Sequence, residues 1–362
     1  MKKHLLSTSA IIGCALAVPA TAQEWDVSFG GYMSQHVAWV DVSGNAPAPN
    51  QDGIDIHSAS EIVFTPSITL DNGLTFGVNV SFEGEQNAFT EIDETYMTIS
   101  SDTMGKIVIG SENSAGYTMM VAAPEVTAMY INSPSISTFI PFSAAYPGLF
   151  REAGLSSFTE VAGNDDVQRI SYITPSFNGF TLGVSYAPTG AINAANSFNV
   201  NRDAVLSDIF DVAMNYTQTF GTTTVALAAR YGTGEAPAVA GLSDPETWGV
   251  GAQVTFADFT VGGSWAENDN HLAAGRADSS GWSFGATYDA PGAWAFEALT
   301  YQGKTDIGGG VDADYEAYRI GASRDLGPGV DWDIYAIQLD SDNGAGANAD
   351  GTVIGTGINL SF

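Results

Sequence analysis

Residues 354–362 read IGTGINLSF, and their side chains alternate strictly between two kinds. One parity holds Ile354, Thr356, Ile358, Leu360 and Phe362, and the other holds only Gly, Asn and Ser. Successive side chains of a β-strand point to opposite faces of its sheet, so this pattern predicts a strand with one apolar and one polar face.

The same alternation recurs in segments 180–187, 210–217, 248–256 and 282–289. Each apolar stripe begins and ends with an aromatic residue, which is typical of side chains at the two water interfaces of a membrane. The opposite parity is rich in Gly, Ser, Thr and Asn, as expected of a water-filled interior. In a bilayer such strands must close on themselves, because an open edge would leave backbone groups without hydrogen-bond partners.

Sixteen segments of the chain predict strands, and the connections between them alternate in length. Tight turns alternate with longer, acidic, Gly-rich connections at 41–54, 113–165, 188–204, 233–245, 268–279, 304–312 and 341–350. Loops sorted by length in this way, with both termini on the short side, are typical of an even-stranded outer-membrane barrel. We therefore predict an all-β fold, a 16-stranded antiparallel transmembrane β-barrel.

Charge and composition exclude several classes of protein. The chain has 362 residues, and its 41 acidic against 11 basic side chains give a formal net charge of −30. This balance argues against nucleic-acid binding, which needs a basic face. Only 14% of the residues are charged and 44% are hydrophobic, which is too apolar for an acidic disordered chain.

Residues 1–22 predict a secretory signal peptide, which leaves residues 23–362 as the mature barrel. Lys2 and Lys3 precede a short apolar core, and the sequence ATA at 20–22 supplies the cleavage site. Residues 11–14, IIGC, loosely resemble a lipobox, so a lipoprotein is the alternative. Cleavage after residue 22 would remove the only cysteine and two lysines, leaving no thiol and lowering the net charge from −30 to −32.

Three passages resemble the general porins of alphaproteobacteria. They are QRISYITP at 168–175 with FNGFTLGVSY at 177–186, the passage from ETY at 94–96 through GKIVIGSEN at 105–113 to 117–124, and the terminal Phe362. The resemblance implies a homotrimer in the outer membrane of a Gram-negative bacterium, in contact with lipid and lipopolysaccharide. It also implies that residues 113–165, the third extracellular loop, fold into the pore as a constriction. Because this loop is Tyr/Phe-rich and has few acids, we expect a steric plug more than an ion filter.

Charged groups at the narrowest point of a channel determine its selectivity. Arg169, Arg230 and Arg319 lie on the polar parity of their strands. An arginine facing lipid costs about 2–4 kcal/mol near the midplane, so we predict that all three line the lumen. The alternative is that each lies near a strand end or pairs with a loop acid. The candidate acids opposite them are Glu112, Glu125 and Glu152.

Metal binding and catalysis have little support in the sequence. Residues 340–344, DSDNG, place Asp340 and Asp342 as in the start of a calcium loop, but the closing Glu is missing. We predict no required cofactor, with Ca²⁺ at this loop as a weaker alternative. His36, His57 and His271 have no metal-ligand spacing, and the chain shows no catalytic motif, so an enzyme is not expected.

The sequence therefore predicts a passive diffusion channel for ions and small hydrophilic solutes. It should prefer cations, because its negative charge raises their local concentration. Two alternatives stay open: a substrate-specific channel whose loop aromatics guide one solute, and a secreted or surface β-sandwich that binds a partner.

Overall fold

The computed structural model describes residues 24–44, 52–84, 92–128, 160–164, 166–190, 200–238, 242–269 and 278–362. The predicted signal peptide lies outside the described residues. So do residues 129–159 and 165 of the predicted constriction loop, and Glu152 with them.

Seventeen strands lie within the described ranges and form one antiparallel sheet. They are β1 (Phe29–Gly44), β2 (Gly53–Phe64), β3 (Ser67–Thr69), β4 (Thr75–Glu83), β5 (Ile92–Ser101), β6 (Gly105–Ser111), β7 (Gln168–Ile173), β8 (Phe180–Thr189), β9 (Ser207–Phe220), β10 (Thr223–Glu235), β11 (Glu246–Phe256), β12 (Phe259–Asp269), β13 (Ser279–Asp289), β14 (Trp294–Gly308), β15 (Val311–Gly327), β16 (Val330–Asp342) and β17 (Asn348–Ser361).

The sheet closes into a barrel, because β1 pairs with β2 on one side and with β17 on the other. β2 and β3 both pair with β4 and form a single wall position, interrupted beside Pro66, which has no backbone N–H to donate. The wall therefore has sixteen positions, and the predicted 16-stranded antiparallel barrel is confirmed.

The predicted alternation sorts side chains between the outside and the inside of this barrel. On β9, Phe210, Val212 and Met214 are exposed on the outer face, whereas Asp211 and Ala213 between them are buried inside. The outer face thus presents its apolar parity to lipid. Within the described ranges, no helix combines the length and the apolarity needed to cross a membrane.

One predicted loop is wrong. Residues 304–312 are mostly strand, because β14 continues to Gly308 and β15 begins at Val311. Gly308, Gly309 and Gly310 have φ values of 90°, 70° and 75°, which glycine adopts without steric cost, so the chain reverses tightly there. An ion pair between Lys304 and Asp312 ties the two strands together just below this turn.

The largest buried apolar cluster lies on the inner side of β14–β17 and β1. It includes Tyr301, Tyr315, Ile337 and Leu339, together with Ala123 from the chain that follows β6. Strand parity alone does not show that the lumen wall is partly apolar, because these residues share the inner face with charged side chains.

Candidate pore constriction

Residues 113–128, which we call the wall segment, run along the inner face of the barrel from β6 to β16. The hydroxyl of Ser185 on β8 accepts a hydrogen bond from the backbone N–H of Ala115 at 2.7 Å. The hydroxyl of Ser283 on β13 accepts one from Ala123 at 3.1 Å. At the far end, Asp333 on β16 accepts one from Ala128 at 2.8 Å. The beginning of the predicted constriction loop therefore lies inside the barrel, and the placement of 129–159 stays a prediction.

The wall segment begins with one helical turn, α1 (Ala115–Thr118). Ser114 caps this turn by accepting a hydrogen bond from Tyr117 N at 3.1 Å. The backbone N–H of Ser114 in turn donates to the carboxylate of Glu160 at 2.7 Å. Residues 114 and 160, from the two ends of the long loop, thus meet beside the wall.

Glycines on the wall let the wall segment lie directly against it. A Cβ added at Gly251 on β11 would stand 2.7 Å from the carbonyl carbon of Val121, well inside ordinary contact. A Cβ at Gly321 on β15 would stand 2.9 Å from Cγ2 of Thr127. A side chain at Gly251 would therefore require the segment to move inward, and one at Gly321 would displace the Glu297 carboxylate as well as Thr127.

A first cluster of buried charges lies near the start of the wall segment. Arg230 on β10 donates to Asp211 on β9, and its Nη2 lies 3.9 Å from Oε2 of Glu160. Arg169 on β7 lies 4.0 Å from the other oxygen of Glu160 and donates to the backbone oxygen of Asn164 at 2.6 Å. These charged side chains are at most 2% exposed.

A second cluster lies near the end of the wall segment. Nη2 of Arg319 on β15 lies 2.6 Å from the carboxylate of Glu125, and its Nε lies 2.8 Å from Glu297 on β14. Glu297 also accepts hydrogen bonds from the backbone N–H groups of Val126 at 2.6 Å and Thr127 at 3.2 Å. The side chains of Arg319 and Glu297 are 0% exposed, and that of Glu125 is 9% exposed.

A third group of charges lies on the neighbouring strands β2 to β6 and is only half-buried. Glu61 on β2, Glu83 on β4, Glu94 on β5 and Glu112 just beyond β6 form this acidic wall. Glu61 and Glu83 are directly opposite each other in the strand register. Glu94 is close enough to Glu61 and Glu112 to experience their charges.

Glu112 lies outside the membrane-spanning strands, and its surroundings change its ionisation. Burial raises the pKa of the Glu112 carboxyl above its ordinary value. Hydrogen bonds from the Tyr96 hydroxyl and the Asn113 backbone oppose this effect without cancelling it. Glu112 therefore loses its charge at a higher pH than a solvent-exposed glutamate does.

The profile of a known family matches nearly the whole barrel. The model of the family described as Gram-negative porin matches residues 7–344. The chain belongs to this family. It is therefore an outer-membrane protein that forms a channel for passive diffusion, and fold and family point to a channel rather than an enzyme. The narrower resemblance to alphaproteobacterial porins stays a prediction.

Solved porin structures share the fold. The anion-selective porin from Comamonas acidovorans superposes with a TM-score of 0.62 at 16% identity, covering 94% of this chain and 100% of that one. The trimer form of OmpT, an outer-membrane protein of Vibrio cholerae, superposes with a TM-score of 0.64 at 12% identity, covering 93% of this chain and 99% of that one. A porin refined at 1.8 Å resolution superposes with a TM-score of 0.59 at 21% identity, covering 93% of this chain and 100% of that one. No curated protein is significantly similar in sequence to this chain.

The predicted site residues of this porin occupy different surroundings. Arg169, Arg230 and Arg319 face the interior, but they are buried under the loop rather than open to the lumen. Glu125 lies beside Arg319, whereas Glu112 belongs to the acidic wall. The roles of all six predicted residues in selectivity stay predictions.

Sequence reasoning missed Asp211 and Glu297 beside the arginines, and most of the acidic wall. Glu297, Glu61 and Glu83 each lie on the inward parity of a strand. A carboxylate facing lipid is also costly, although less so than an arginine, so strand parity alone could have identified them.

The described residues contain no group of three or more His, Cys, Asp or Glu side chains arranged to hold a metal ion. Asp342 accepts a hydrogen bond from the backbone of Gly344 at 2.6 Å, so it stabilises the turn of its own loop. Asp340 lies on the outer face, opposite Asp350 in the register. His36 and His57, distant in sequence, bring their ring centroids to 6.4 Å inside the barrel, while His271 lies outside the described residues.

Proposed function

We propose that this porin conducts ions and small hydrophilic solutes with a preference for cations, and that the acidic wall creates this preference. The observation that supports the proposal is the unequal exposure of the interior charges. The buried arginines face carboxylates within 4.0 Å, whereas the four carboxylates of the acidic wall are half-exposed.

Compensated charges contribute little to the potential that a permeating ion experiences. In the first cluster two arginines lie beside two carboxylates, and in the second Arg319 lies between two carboxylates. On the acidic wall, four acids outnumber Lys106 and Arg169, the two described bases whose charges act on Glu112. Fixed negative charge in a low-dielectric channel concentrates cations and repels anions.

The name of one structural neighbour suggests the opposite selectivity. The Comamonas acidovorans protein is named an anion-selective porin. At 16% identity the likeness supports the fold alone, so the interior charges of this chain are the better guide. A substrate-specific channel is the remaining alternative, and the aromatic loop residues that would favour it, except Tyr117, lie outside the described ranges.

The homotrimer is also a proposal, and a polar patch on the outer face supports it. Ser58 on β2 donates a hydrogen bond to Gln35 on β1 at 2.7 Å, and the polar Ser60 follows Ser58 on the same face. Polar groups facing lipid are costly unless they are covered. We propose that this patch contacts a second copy of the chain.

Planar-bilayer recording of the purified protein tests the function. The proposal expects ohmic channels and, under a KCl gradient, a zero-current potential with the sign of cation preference. An anion-preferring potential would refute the proposed selectivity. Absence of channels would refute the function itself.

A further inference from the structure

We infer that Arg230 and Arg319 are positioning residues, which fix the two ends of the wall segment and thereby set how far it projects into the lumen. This inference rests on the proposed channel function and goes beyond it. It assigns these arginines to the shape of the pore, and it leaves ion selectivity to the acidic wall.

Arg230 and Arg319 are not accessible from the lumen. The guanidinium groups of Arg230 and Arg319 are 0% exposed, so a permeating ion cannot touch them. Each lies beside at least two carboxylates, which cancel its charge at longer range. A group that is both covered and compensated does not act as a selectivity charge.

The charged contacts lie at the two ends of the wall segment. Arg230 and Arg169 surround Glu160, and Glu160 accepts the hydrogen bond from Ser114 N at the start of the segment. Arg319 orients Glu297, whose carboxylate accepts hydrogen bonds from Val126 and Thr127 near its end. Arg319 also binds Glu125 of the segment directly.

Between these ends, the segment contacts the wall through neutral groups. Asn215 donates a hydrogen bond to Met119 O at 3.1 Å, and Gln253 donates one to Ala122 O at 2.8 Å. Hydrogen bonds that involve an ionised group are about twice as strong as neutral ones. The two ends therefore hold the segment most firmly.

Replacing Arg319 with Met tests the inference at one end. It leaves Glu125 and Glu297 buried without a cation, an arrangement that a protein relieves by exposing one of the charges. We expect the end of the wall segment to leave the wall, with a several-fold rise in open-channel current noise and an altered mean conductance. The zero-current potential should change much less than when the acidic wall is neutralised. Arg324→Met is the matched control, because Arg324 lies on the same strand but contacts Trp294.

A conservative variant separates positioning from a general loss of structure. Arg319→Lys keeps a cation between the carboxylates of Glu125 and Glu297. Its channels should therefore be quieter than those of Arg319→Met and closer to wild type, because the end of the wall segment stays against the wall. Glu125→Gln, which keeps the pair between Arg319 and Glu297, should show a smaller rise in noise and covers the case in which Arg319→Met does not assemble.

The inference is overturned if wild-type channels form but Arg319→Met and Glu125→Gln remain as quiet as wild type. It is equally overturned if Arg319→Met shifts the zero-current potential as strongly as Glu61→Gln with Glu83→Gln and Glu94→Gln does, or if Arg319→Lys is as noisy as Arg319→Met. If wild-type protein forms no channels, the proposed function fails instead.

Discussion

Replacing Gly251 with Ala should push the wall segment into the lumen. The new Cβ would stand 2.7 Å from the Val121 carbonyl carbon and closer still to its oxygen, whereas ordinary contact begins at 3.4 Å. The backbone must therefore move by at least 0.7 Å, the difference between these distances. Overpacking of this kind costs roughly 1–3 kcal/mol. Loss of the nearby bond from Gln253 to Ala122 O would add about 0.5–1.5 kcal/mol.

Single-channel recording and denaturant titration of the purified oligomer measure the two effects. We expect lower conductance, because the segment narrows the lumen, together with a lower unfolding midpoint. Ala252→Val is the control, since the neighbouring residue points outward on the same strand and also gains bulk. Wild-type conductance and stability in Gly251→Ala would refute the close contact between the wall segment and β11.

Three further outcomes are expected. Because burial raises the pKa of Glu112, cation preference should begin to weaken on acidification at a pH above the usual pKa range of glutamate. Glu112→Gln should remove that part of the pH profile, measured as zero-current potentials. Gln35→Leu should lower the temperature at which the oligomer dissociates in detergent gels if the outer patch contacts a second copy, and should raise or not change it if the patch faces lipid. Chelation of divalent cations by EDTA should leave the melting temperature unchanged, because Asp342 already bonds its own loop, and a clear fall would favour the Ca²⁺ alternative.

The barrel could be predicted from the sequence because its main signal is local. Alternation along residues 180–187 or 354–362 fixes which side chains face lipid, and loop lengths fix the order of the strands. The prediction of a loop at 304–312 failed because β14 and β15 stay paired up to three consecutive glycines, which reverse the chain. A run of acids and glycines does not reveal that pairing.

The candidate site could be predicted only in part, since its contacts join residues far apart in the chain. Parity places Arg319 inside the barrel, but it cannot show that Glu125, 194 positions away, covers it. The same limit applies to Ser114 and Glu160, separated by 46 positions. Burial decides whether such a charge selects ions or holds the chain, and burial depends on these distant contacts.

The central claim is that the half-buried carboxylates of the acidic wall determine ion preference. The most direct test compares zero-current potentials under a KCl gradient for wild type, for Glu61→Gln with Glu83→Gln and Glu94→Gln, and for an outer-face control. The control, Glu316→Gln with Asp340→Asn and Asp350→Asn, removes the same charge from residues opposite one another on the outside of the barrel. The account predicts a cation-preferring wild type, a potential near zero for the lumen variant and no change for the control. An anion-preferring wild type, or an equal shift in both variants, would contradict it.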